Sequence, residues 1–112
     1  MRVKSSPFGG INKGAIMKIS SKTIEAFLRE ADIEGYIDLG APADEYSSEA
    51  EIIASAVSQL EHFEINEENI ISIIFAVWKK SFNLDNSDLQ ARKPAISSVT
   101  ERIIKYYTAT SV

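Results

Sequence analysis

Glu67-Glu68-Asn69-Ile70-Ile71-Ser72-Ile73-Ile74-Phe75-Ala76-Val77-Trp78-Lys79-Lys80-Ser81-Phe82 is the stretch whose reading decides the fold. Its β-branched residues invite a strand, but the run is too long for one, does not alternate, and carries helix signals at both ends. Asn66 can cap it, Glu67 and Glu68 fill the first turn, and Lys79 and Lys80 fill the last. That order of charge complements the helix dipole. Ile65 can staple to Ile70 across the cap. Apolar residues wrap most of the circumference, so the spacing predicts a helix over 67–82 that is contacted on several sides.

Upstream, Ile52, Ile53, Ala56, Val57 and Leu60, continued by Phe63, form one apolar stripe, which predicts a surface helix over about 49–62. Ser48 and Glu51 have capping-box spacing, with Glu49 in the first turn. A further helix is expected over about 21–34, from Ile24, Phe27, Leu28 and Ala31. Ser20 would cap it, Ile19 and Ile24 would staple it, Glu25 would pair with Arg29, and Gly35 would end it in the left-handed conformation. Downstream, Pro94 fits poorly inside a helix, so the last helix is expected over about 94–107, preceded by a short turn at 88–92. Ile96, Val99, Ile103 and Tyr107 make its inner stripe, with Thr100 and Ile104 beside it and Glu101 paired to Lys105. The fold class is all-α, a small four-helix bundle over residues 17–112. Residues 1–16 have no helical or strand period and read as a disordered leader, an upstream extension or a vector-derived remnant.

A chain of 112 residues without cysteine is large enough for one core and has no disulfide or thiolate metal site. Its longest apolar run falls far short of the roughly 20 residues of a membrane span, so a cytoplasmic protein is the expectation. The net charge of −4 is unevenly spread: residues 25–68 hold 13 acids against Arg29 alone. Such a segment repels nucleic acid and suits a basic partner surface. Arg92, Lys93, Arg102 and Lys105, with Tyr106 and Tyr107, could suggest nucleic-acid binding, but their pairing with the acidic middle is the better account.

Enzyme chemistry finds little support. His62 is the sole histidine and lies near a helix C-terminus, where a surface role suffices. No phosphate-cradling glycine loop is present. The carboxylates of Asp38, Asp44, Glu45 and Glu49 could gather around a hard cation, but their spacing does not follow the calcium-loop pattern. Capping and the helix dipole explain them better, and neither metal nor cofactor is expected. Tyr46 would rest its ring on the core and keep its hydroxyl in water.

The pattern Asp38-x-Gly40-x-Pro42-x-Asp44-Glu45-Tyr46-x-x-Glu49, followed by an amphipathic helix and a second helix ending Trp78-Lys79-Lys80-Ser81-Phe82, resembles a group of small all-helical bacterial proteins. These carry an Asp-Glu-Tyr box after a Gly/Pro loop. Some are domains of unknown function, and similar boxes occur in immunity proteins encoded beside polymorphic or contact-dependent toxins. Tyr36-Ile37-Asp38-Leu39 stands where members often carry Trp-Asp-Pro. The resemblance implies a non-enzymatic binding protein that neutralises a basic toxin domain. Its contact surface would be Asp38, Asp44, Glu45, Tyr46, Glu49, Glu61, Glu64, Glu67 and Glu68. The alternative is a housekeeping helical protein, a homodimer or adaptor, using Trp78 or Phe82 as an exposed apolar patch.

Overall fold

The structure, a computed structural model, describes residues 18–110. The expected leader, residues 1–16, lies outside the described residues. Four helices follow in order: α1 (Ser21–Ala31), α2 (Ser47–Ser58), α3 (Glu67–Phe82) and α4 (Asn86–Thr110), with a 3-10 turn at His62–Glu64 between α2 and α3. Each packs on the next, and α1 closes against α4. Among the described residues there is no strand, and no helix is long and apolar enough to cross a membrane.

The helix that decides the fold has the bounds its sequence predicts. Asn66 Oδ1 accepts the Asn69 N–H, and Ile70, Ile74, Val77 and Trp78 are buried. Asn83 ends it in the left-handed conformation at φ 55°, which asparagine tolerates better than most residues. In α1, Ser20 accepts the Thr23 N–H as expected, and the staple pair Ile19 and Ile24 is buried.

Three boundaries of α1 and α2 differ from the sequence reading. α1 stops at Ala31 because Asp32, not Gly35, takes the left-handed cap at φ 45°, its N–H donating to Leu28 O. Gly35 and Gly40, at φ 77° and 105°, serve the connection that follows, where a side chain would be strained. α2 starts at Ser47 with Tyr46 as its cap and no side-chain cap bond, so the Ser48–Glu51 box does not form. The preceding turn winds straight into the helix, through Ser47 N to Asp44 O and Ala50 N to Tyr46 O. α2 then ends at Ser58, because Glu61 and Glu64 cap a new 3-10 turn reciprocally. That turn swings Phe63 outward to 80% exposure, and Ile52 is also half out at 53%, so neither belongs to the core stripe.

The largest departure is α4, which begins at Asn86 and runs through Pro94. Asp85 Oδ1 accepts the Asp88 N–H while Asp88 Oδ2 accepts the Asp85 N–H, a two-carboxylate version of the capping box. Leu89 is buried, so the inner stripe of Ile96, Val99, Ile103 and Tyr107 extends two turns further back. Pro94 costs the Gln90 carbonyl its helical partner. Both residues lie on the exposed face, where water can serve that carbonyl.

Candidate functional site

Two places stand out: the connection between α1 and α2, which concentrates polar chemistry, and the hollowed face where α2 lies beside α3. The connection holds the Asp-Glu-Tyr box. Tyr46 is fully buried. Its ring packs on Trp78 at 5.8 Å between centroids, Trp78 on Phe82 at 5.1 Å, and Tyr36 leans on both Phe82 and Tyr46. Its hydroxyl, expected in water, instead donates to Asp32 Oδ1 at 2.7 Å and accepts the Glu34 N–H at 3.1 Å. Burial, then the hydrogen bond to the Asp32 carboxylate, pushes the phenol well above its ordinary range.

Asp32 works twice. As the left-handed cap it closes α1, and its carboxylate also receives the N–H groups of Ile37 and Asp38 at 3.0 and 2.9 Å. Desolvation pushes its carboxyl up, but the hydrogen bonds from Tyr46, Asp38, Ile37 and Gly35 together outweigh it and hold the group below the usual carboxylate range. Two residues on, Glu34 is 5% exposed at its side chain and receives three donors. These are Trp78 Nε1 at 2.8 Å from α3, and both Nε and Nη2 of Arg92 from α4, the latter at 2.9 Å. The bidentate hydrogen bond from Arg92 dominates; despite desolvation, it and the Trp78 N–H hold Glu34 below its ordinary range. Arg92 is raised reciprocally, chiefly by the same hydrogen bonds, and its Nη1 also ties back to Asp88 O.

Sequence reasoning missed this network of Asp32, Glu34, Tyr46, Trp78 and Arg92. It joins every helix at one end of the domain and is built for stability, since its carboxylates take their donors from other helices and from the connection itself. Tyr46 therefore has no surface to offer a partner. Trp78 is likewise fully buried and Phe82 is partly covered, so neither supplies the expected apolar patch. Arg92 and Arg102 are both engaged within the chain, with Glu34 and Glu30, and Arg102 also lies over the Phe27 ring. These two contacts are the ion pairs among the described residues; the expected Glu25–Arg29 and Glu101–Lys105 pairs are not formed.

The remaining candidate residues are not brought together as one patch. Asp38, Asp44 and Glu45 are exposed on the connection, with Glu49 part-buried just below them in α2. Glu61, Glu67 and Glu68 are exposed at the opposite end, where Glu64 is occupied in capping the 3-10 turn. The length of α3 separates the two groups by about 24 Å. Among the described residues no three His, Cys, Asp or Glu side chains converge as metal ligands would. His62 is exposed and borders a small cavity with Ile65, Ile104, Tyr107 and Thr108.

The face between these two ends is a groove of about 770 Å³, lined by Glu51, Ile52 and Ser55 of α2, by Gln59 just past its end, and by Glu64 and Ile73 across from them. A second hollow of about 500 Å³ continues it along Ala76, Val77, Lys80 and Ser81. Ile52 lines both, so the two form one apolar-floored channel with that side chain at its middle.

Compared with known proteins, the chain matches no family model, no curated protein and no solved structure.

Proposed function

We propose that the protein acts by binding rather than by catalysis, as an immunity-type protein that covers a basic toxin domain. The observation that carries this reading is the division of charge. The two arginines of α4 are taken up by Glu34 and Glu30, while Asp38, Asp44, Glu45, Glu61, Glu67 and Glu68 make no ion pair with any described residue. Residues 18–110 hold 16 acids against nine bases, and a surface of that negative balance speeds and orients association with a cationic protein. The corner at 38–45 is the part best suited to contact. The hydrogen bonds at Asp32 hold its backbone from behind while its acids face water. The closed order of helix contacts, α1 to α2 to α3 to α4 and back, supports reading the domain as a four-helix bundle, a scaffold that presents such a corner without deformation.

Co-expression with a toxic open reading frame encoded beside the gene tests the proposal. Wild-type protein should protect the cell. The triple reversal Asp38→Lys/Asp44→Lys/Glu45→Lys should slow association by about tenfold or more while leaving the melting temperature close to wild type. Absence of a neighbouring toxic frame, or equal protection by the reversed variant, would contradict it.

A further inference from the structure

We propose that Leu39 is the apolar anchor of the contact with the partner, seated in an apolar recess of the partner's surface that lysine or arginine side chains surround. This deepens the binding reading of the 38–45 corner and rests on it. The first observation is exposure. Leu39 is 82% exposed, more than any other large hydrophobic residue among those described, and it takes no part in the core.

A single exposed leucine is ordinary on a protein surface. This one is set apart by its backbone, which is fixed on both sides. Its own N–H donates to the carbonyls of Gly35 and Tyr36, each at 3.2 Å, while Gly40 N–H donates to Ile37 O at 3.0 Å and Ala41 N–H to Tyr36 O at 2.9 Å. From behind, the Asp32 carboxylate accepts the N–H groups of Ile37 and Asp38, and Tyr46 holds that carboxylate in place. A side chain presented on a fixed backbone loses little freedom on binding beyond its own rotamers, so more of its burial appears as affinity.

Charge then selects the partner. From Asp32 to Glu49 the chain carries six acids and no base. Asp32 and Glu34 turn inward, which leaves Asp38, Asp44 and Glu45 exposed and in no ion pair with a described residue. Lys79 and Lys80 close α3 at this end of the domain, but neither comes within ion-pair distance of these acids. A partner surface that is only basic would answer the acids and leave Leu39 in water. One that is only apolar would bury Asp38, the next residue, without a counter-charge, which is costly. An apolar recess with a cationic rim answers both. Phe63, 80% exposed at the opposite end, lacks this setting, because Glu61 and Glu64 on either side of it are engaged in capping its own turn.

The two parts of the corner act on different rates: the acids steer encounter, and the buried leucine slows departure. Binding kinetics of the full chain with the purified product of the toxic frame beside the gene separate them. Leu39→Ala should raise the dissociation rate at least about tenfold while leaving the association rate and its salt dependence within about twofold of wild type. Its melting temperature should match wild type, since the side chain packs on nothing. Asp38→Lys/Asp44→Lys/Glu45→Lys should do the reverse and act chiefly on association. Phe63→Ala should change neither rate. If wild type binds and Leu39→Ala dissociates at the wild-type rate, or Phe63→Ala dissociates faster than Leu39→Ala, the anchor is overturned and the binding reading stands. If wild type neither binds nor protects, the binding reading fails and the anchor falls with it.

Discussion

The domain uses its carboxylates in two opposite ways. At the end carrying the 32–46 connection, Asp32 and Glu34 turn inward and between them accept from two side chains of other helices, one tyrosine hydroxyl and two backbone amides. At the other end, Glu61 and Glu64 only close a 3-10 turn on each other, and Glu67 and Glu68 sit in water at the start of α3. One set is structural because its partners are fixed and largely dry. The other is available because nothing within the described chain neutralises it. Carboxylate density along a sequence thus says little about role; what matters is whether a donor from a distant element reaches the group.

Removing Glu34 should separate the two ends most clearly. Glu34→Ala leaves the Trp78 indole N–H and the Arg92 guanidinium without their acceptor. Losing one partner of a buried, hydrogen-bonded ion pair costs about 3 kcal/mol, and Arg92 is 25% exposed, which keeps the loss from being larger. In thermal unfolding this corresponds to a melting temperature lower by more than about 10 °C. The equivalent change at the other end, Glu67→Ala, removes an exposed first-turn carboxylate and should cost less than about 1 kcal/mol.

Acid should act through the first end as well. The folded state holds the carboxyls of Asp32 and Glu34 below their ordinary range, so the unfolded chain takes up their protons first. Their contribution is therefore complete above the unfolded values near pH 4 and is lost as pH falls through the lower folded values. Urea unfolding from pH 7 downward should show wild-type stability dropping below about pH 4. Glu34→Gln, weaker at neutral pH, should show a shallower fall.

The parts of the fold legible in the sequence were those fixed by neighbours along the chain. The bounds of α3 follow from Asn66, its two glutamates and its two lysines, and Ser20 caps α1 for the same local reason. The start of α4 was hidden by Pro94. Two local signals pointed the right way, Asp85 with Asp88 three residues on and Leu89 continuing the inner stripe, but a proline's usual penalty argued against them. The network around Glu34 was not legible at all. Its partners lie 44 and 58 residues away, and no periodicity relates Glu34 to Trp78 or Arg92. The Asp-Glu-Tyr box shows both cases side by side. Asp44 and Glu45 are exposed as their charge suggests, whereas Tyr46 is swallowed by a core whose aromatic wall comes mainly from α3.

That split within three consecutive residues is where the account is most exposed to test. Urea unfolding of Tyr46→Phe beside Asp44→Asn/Glu45→Gln compares the buried member of the box with its two exposed neighbours. Tyr46→Phe keeps the ring packing but leaves the Asp32 carboxylate and the Glu34 N–H short of one partner each, and should cost about 1–2 kcal/mol. The double variant should stay within about 0.5 kcal/mol of wild type. A Tyr46→Phe protein as stable as wild type, or a double variant that loses more than it, would contradict the division of the box into a structural tyrosine and two free acids.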